Sequence, residues 1–366
     1  MTDPYLIAFA SLRSINRRLA EEILSRTGDE ATFFTLPESK LSAIMGCSNR
    51  LFDSDYRAEL MQRARNEARF IDENRIHTLY FRNSDYPSRL TECDDAPLML
   101  YTLGECDINA RHMISIVGTR HATPYGIDFV TRLIDDLAAK LDSPPVIVSG
   151  LAYGIDIAAH RAAMNVGLPT VAVLAHGLNT IYPAAHRNAA AEIVHKGGML
   201  VTDYMSKSVM HKGNFVARNR IVAGLSDCLV VAESAEKGGA LITAGIAAAY
   251  NRDVMALPGR TSDKYSRGCN RLIASNVAAL IDGADALIEA MQWKSKPTEG
   301  TQEELPVTMS PDEQSIADYL TANGEGCINE MCVTLGIPIS RLMTTLIDME
   351  FKGIIITYPG GKYRLS

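Results

Sequence analysis

The sequence predicts an α/β fold centred on a parallel sheet covered on both faces, with a helical segment before it and a compact helix-and-hairpin module after it. Three observations carry this reading. Six short runs, at 113–117, 146–149, 170–175, 199–202, 228–232 and 253–256, are almost wholly apolar, as strands buried on both faces must be. Amphipathic helical stretches separate them, with about 25 to 35 residues from one strand to the next, which is the length right-handed βαβ units need. Outside 76–292 the alternation stops. The core is therefore Rossmann-like, and 366 residues at about 150 per domain leave room for two or three domains.

Residues 1–75 show apolar positions at helical spacing and no good strand, which predicts a small helical domain. Its first helix pair has the outline of a helix-hairpin-helix, but the turn Arg13-Ser14-Ile15-Asn16 lacks the glycines that let such a hairpin approach phosphates. Packing is the favoured reading there. After the core, 293–308 is polar, charged and Pro-containing and reads as a linker. In 309–366, Ser310-Pro311-Asp312-Glu313 opens a helix. Two more helices follow, and Pro359-Gly360-Gly361 turns a hairpin. Three helices and a hairpin make a winged helix. The presumed recognition helix carries Arg341 and Lys352 against Asp348 and Glu350, a poor balance for groove binding, so protein contacts or weak DNA contacts are expected of it.

The seven cysteines form no CxxC pair, which fits reduced thiols better than a disulfide framework. No apolar stretch has the length of a membrane span, and the acidic start is unlike a signal peptide. A cytoplasmic protein without a membrane contact is expected. The net charge of −7 hides a reversal: across 196–220 five basic residues face Asp203 alone. If the fold gathers them they form a cationic patch; otherwise they are a solvated rim.

Three strand-to-helix junctions look ready for anions. The first, Gly118-Thr119-Arg120, leads to Thr123 as N-cap and Pro124 at the first helical position. The second runs from Ser149 and Gly150 through Tyr153 and Gly154 to Asp156, whose carboxylate either meets a ribose or stabilises the helix start. The third is Lys237-Gly238-Gly239. No GxGxxG fingerprint and no P-loop occur, which disfavours nucleotide hydrolysis. Arg218 and Arg220 flank Asn219 and face either phosphates, the preferred reading, or carboxylates. Phe215 and Tyr153 offer faces for stacking bases or are ordinary core aromatics. The histidines lack metal-ligand spacing, so neither a metal nor a cofactor is expected.

Together these motifs resemble the DNA-processing protein A family (DprA, or Smf) over nearly the whole chain. The resemblance rests on Asp85-Tyr86-Pro87, IVGTR at 116–120, SGLAYGID at 149–156, GLNTIYP at 177–183, RNRIVAGLS at 218–226, KGGALITA at 237–244, ALPG at 256–259 and GCNRLI at 268–273. It implies a homodimeric, non-enzymatic mediator of natural transformation that binds single-stranded DNA, protects it, and loads RecA onto strands otherwise covered by single-strand-binding protein. It also implies a phosphate pocket built from Gly118, Thr119, Arg120, Ser149, Gly150, Phe215, Arg218, Asn219, Arg220 and Lys237. The chain departs from the family pattern at Val216, at Gly238-Gly239-Ala240 and at Ser275-Asn276, none of which removes a cation. The rival class is a Rossmann-like nucleoside-monophosphate phosphoribohydrolase. Its catalytic Glu has no counterpart in register after Lys237-Gly238-Gly239, so the proton-transfer group is missing. A regulator acting through the winged helix is a third possibility.

Overall fold

The computed structural model describes residues 2–296, 309–352, 354–358 and 362–365. The chain divides into two compact units, 1–296 and 297–366.

Five helices open the first unit: α1 (Pro4–Ala10), α2 (Arg17–Thr27), α3 (Glu30–Thr35), α4 (Glu38–Met45) and α5 (Ser54–Glu73). Asp3, Asn16, Asp29 and Asp53 cap four of them, each accepting a hydrogen bond from a backbone amide just beyond it. Buried Arg57 on α5 fastens the group by donating to the carbonyls of Phe33 and Leu36 at 2.7 and 2.9 Å. Read from sequence as a domain of their own, these helices share one continuous core with the sheet, in which Phe9, Phe33 and Phe52 join Leu100, Val171 and Leu229. Ile15 and Asn16 of the α1–α2 turn line a cavity of about 250 Å³ with core residues including Tyr101 and Asp203, while Arg13 and Ser14 at its tip are exposed.

The core continues with β1 (His77–Tyr80), α6 (Ser88–Thr91), β2 (Met99–Gly104), β3 (Met113–Val117), α7 (Pro124–Lys140), β4 (Val146–Ser149), α8 (Ile155–Asn165), β5 (Thr170–Val173), α9 (Arg187–His195), β6 (Met199–Thr202), α10 (Lys212–Gly224), β7 (Cys228–Val231), α11 (Gly239–Ala249), β8 (Asp253–Ala256), α12 (Arg267–Ala274), β9 (Ala279–Leu280) and α13 (Ala284–Ala290). The nine strands pair in the order β1-β2-β6-β5-β4-β3-β7-β8-β9. Pairing is parallel from β6 through β9, and antiparallel for β1–β2 and β2–β6. Alternate strand residues face opposite layers. Ile114, Ile116, Ile147 and Val230 pack under α7, α8 and α13, while Val117, Val148, Val173 and Leu229 pack with α10, α11 and the N-terminal helices. The six expected strands are present. The antiparallel edge β1–β2 and the short β9 were not foreseen.

The order reverses between β3 and β7: successive strands move away on one side from β3 and return on the other from β7. Beyond the carboxyl ends of the strands, such a reversal opens a crevice.

Residues 293–296 are not linker. The Trp293 ring packs at a tilt on His112, centroids 4.1 Å apart, and Lys296 donates its amide to the Lys140 carbonyl at 2.6 Å. The rest of the expected linker, 297–308, and the hairpin turn 359–361 lie outside the described residues. The second unit contains α14 (Pro311–Asn323), β10 (Gly326–Cys327), α15 (Ile328–Leu335), α16 (Ile339–Phe351), β11 (Ile355–Tyr358) and β12 (Lys362–Leu365), with the sheet ordered β10-β12-β11. This is the winged-helix arrangement. Ser310 and Glu313 form a reciprocal capping box at the start of α14. No single described helix is long and apolar enough to cross a membrane.

Candidate functional site

The crevice between β3 and β7 holds a cleft of about 690 Å³. Loops from the ends of β3, β4, β5, β7 and β8 line it, and α10 forms one wall. It gathers Gly118, Thr119, Arg120, Phe215, Arg218, Asn219, Lys237 and Gly238, eight of the residues expected at the site. Lys212 and Lys264 also line it, so five cations share the cleft with one carboxylate, Asp156.

Arg218 is the floor of the site. Its residue is only 5% exposed, its Nη1 donates to the Val173 carbonyl, and its Nε has no partner. Gly150 makes room for it, because a Cβ at that position would run into the guanidinium. Burial pulls Arg218 below its ordinary pKa and pushes the Asp156 carboxyl above its own, while each charge opposes the other's shift. A guanidinium keeps its proton in folded proteins, so a deep, incompletely satisfied positive charge remains. The Asp156 carboxylate also accepts from the Ala152 amide at 3.3 Å. It orders the β4–α8 loop, in keeping with the helix-start reading.

Above this floor, the Arg120 guanidinium lies 5.7 Å over the Phe215 ring, and Tyr182 meets that ring edge-on at 5.5 Å. His176 positions the Tyr182 loop. Burial lowers its pKa, so the neutral ring donates from Nδ1 to the Gly177 carbonyl at 3.0 Å and accepts from the Tyr182 amide at Nε2 at 3.1 Å. Gly238 is the N-cap of α11 without any side-chain cap, which leaves that helix start facing the cleft beside exposed Lys237.

Several expectations need correction. Arg220 does not face the cleft. Residues two apart on a helix point to different sides, so α10 sends Arg218 into the cleft and Arg220 away to Asp203 at 2.6 Å. Ser149 is fully buried and donates its hydroxyl to the Ile116 carbonyl at 2.6 Å; it is a structural group. Gly150 acts by leaving space and does not itself line the cleft. Tyr153 packs edge-on to His186 at 4.8 Å and is absent from the cleft lining. Nor is the start of α7 open to an anion. Thr123 donates its amide and its hydroxyl to the buried Glu233 carboxylate at 2.8 and 2.6 Å, so an internal acid occupies the dipole end. The Glu233 carbonyl also accepts from the Thr119 amide at 2.7 Å. Among the described residues, no cluster of three or more His, Cys, Asp or Glu is placed to hold a metal ion.

Sequence reasoning missed Lys212, Lys264, Tyr182, His121 and Tyr265 as lining residues. Lys212 belongs to the basic run 196–220 and Tyr182 to GLNTIYP at 177–183, while Lys264, His121 and Tyr265 carry no signal of their own in the sequence.

The fold and the site together define a doubly wound α/β protein with a cationic cleft at its topological switch point. Comparison with known proteins narrows this. The family model for DNA recombination-mediator protein A matches residues 77–292. Protein Smf of Escherichia coli K12 is 32% identical over 306 residues, covering 81% of this chain and 79% of its own length. DNA processing protein DprA of Streptococcus pneumoniae is 38% identical over 204 residues, 56% of this chain and 71% of its own. The X-ray structure of the Streptococcus pneumoniae protein matches 79% of this chain and 98% of its own with a TM-score of 0.64. A structure of the Helicobacter pylori protein, described for its unique single-stranded DNA binding mode, matches 59% and 95% with a TM-score of 0.53 at 29% identity. The chain belongs to the DprA/Smf family of recombination mediators.

Proposed function

We propose that this chain binds single-stranded DNA in the cleft at the switch point and, as a homodimer, protects incoming strands and loads RecA onto them in place of single-strand-binding protein during natural transformation. The observation that carries the DNA-binding part is the convergence of Arg120, Arg218 and Lys237 from three different elements into one cleft whose lining has a single carboxylate. Backbone phosphates are what such a constellation recognises, and phosphate contacts carry little sequence information. The reading is one of binding without catalysis. Asp156 is engaged by Arg218 and the Ala152 amide, not set free as a general acid or base. Free thiols at all seven cysteines accord with a cytoplasmic site of action.

A gel shift with oligo(dT) against a matching duplex at two salt concentrations tests the proposal. Tighter binding of the single strand, weakening steeply as salt rises, is expected. Equal or tighter duplex binding overturns it.

A further inference from the structure

The cleft has aromatic groups on two walls, and the arrangement around Phe215 accounts for only one. On the other, His121 and Tyr265 present nearly parallel rings, 23° between planes, with centroids 6.2 Å apart. Both line the cleft, yet they come from different strand ends. His121 follows β3, its amide donating to Thr119 Oγ1 at 3.2 Å. Tyr265 follows β8, its carbonyl accepting from the Ser234 amide at 2.6 Å. The backbone of each is thus pinned, and their rings make no hydrogen bond among the described residues. Lys264 sits beside them, its Nζ 5.4 Å from the Tyr265 centroid.

The spacing of the rings matters. Bases in a stack lie about 3.4 Å apart, so a ring, a base and a second ring need about 6.8 Å. The 6.2 Å between centroids is the upper limit of the distance between the two ring planes, so the two loop side chains must part to admit a base. We propose that His121 and Tyr265 form a slot that takes one nucleobase of the bound strand between them, with Lys264 at the neighbouring phosphate. The slot rests on the reading that the cleft holds single-stranded DNA, and it adds a base contact to what is otherwise a phosphate grip. Every base has a π face, so the slot tolerates any sequence.

The test uses the full chain and a set of oligo(dT) strands, each carrying one 2-aminopurine at a different position. Binding quenches the fluorescence of the probe whose base enters the slot. His121→Ala, at an exposed position, and Tyr265→Leu should each abolish quenching at that position and weaken binding by about 5- to 150-fold, the range stacking supplies per base. The salt slope should not move, because no phosphate contact is lost. Tyr265→Phe keeps the ring and should preserve both signals, which separates loss of stacking from damage to the loop. Unchanged affinity and quenching in His121→Ala and Tyr265→Leu overturn the slot and leave the phosphate-binding reading standing. Failure of the wild-type chain to bind the oligonucleotides overturns both.

Discussion

The cleft of the first unit and the winged helix of the second both carry cations, and they dispose of them in opposite ways. In the cleft Arg120, Lys212, Lys237 and Lys264 join no ion pair among the described residues, and the buried Arg218 keeps an unpartnered Nε. In the winged helix every cation is matched. Arg341 meets Asp312 at 2.5 Å, Lys352 meets Glu313 at 2.6 Å, and Lys362 and Arg364 share Glu325 at 2.5 Å each. One outward stripe of α16 is apolar: Ile339, Met343 and Ile347, one turn apart, are 46 to 53% exposed. Formal charge is thus a poor guide to which cations remain open to an anion; the pairing of each cation with an acid is the better one.

The sharpest way to break this comparison lies within α10. Arg220→Ala would leave the Asp203 carboxylate nearly buried and unpaired, and its Oδ1 already lacks a partner. Denaturant unfolding should show a loss of about 2 to 4 kcal/mol, near the lower end for opening a buried pair. The salt dependence of DNA binding should stay as in wild type. A flattened slope would restore Arg220 to the phosphate site. Next in size, Arg120→Glu should weaken single-strand binding by about 10- to 100-fold, the worth of a charged hydrogen bond, and reduce the salt slope by about one. The same reversal at Arg341, committed to Asp312, should alter affinity by less than about twofold. Equal losses at the two positions would erase the distinction between the units.

Acid titration sharpens the contrast further. Burial lowers the pKa of His112, His160 and His176, that of His160 to about 3, against an ordinary 6.5. Between those values the unfolded chain binds the extra protons, so stability rises with pH, by up to about 1.4 kcal/mol per pH unit for each such group. As pH falls below about 6.5 the first unit should lose stability. In the winged helix Lys362 and Arg364 hold Glu325 down to about 2 against an ordinary 4.5; its contribution is complete above 4.5 and lost only as pH falls from there toward 2. Denaturant melts read unit by unit across pH 7 to 3 should separate the two responses. A first unit flat down to pH 4 would contradict the burial of its imidazoles.

Much of this architecture could be read from the chain itself, for identifiable reasons. Strands β3 to β8 are almost wholly apolar because helices cover both faces, and a nearly continuous apolar run bounded by turns is a strong local signal. Strand β2 lies in a run of Pro, Leu, Met and Tyr without β-branched weight until Thr102, which local pattern does not distinguish from a buried helix. The convergence of Arg120 and Lys237 was legible because junctions after parallel strands must lie at one rim of the sheet, whereas Arg218 reaches the cleft from the middle of α10. The fate of Arg220 was not: it depends on the phase of α10, and its partner Asp203 follows a strand on another part of the sheet. Likewise Glu233 precedes Lys237 by four residues, yet nothing local shows that it reaches back to Thr123. Long-range pairing of polar groups is written in three dimensions, and the sequence pattern records only the hydrophobic half of the argument.

That reach of Glu233 has a mechanical effect. Its carbonyl holds Thr119 and its carboxylate holds Thr123, so one residue clasps the end of β7 to the loop leaving β3, across the seam where neighbouring elements diverge. The spacing between these two loops is consequently fixed by the fold itself. A strand bound as proposed would therefore find this seam already ordered, which lowers the protein's share of the ordering cost of association.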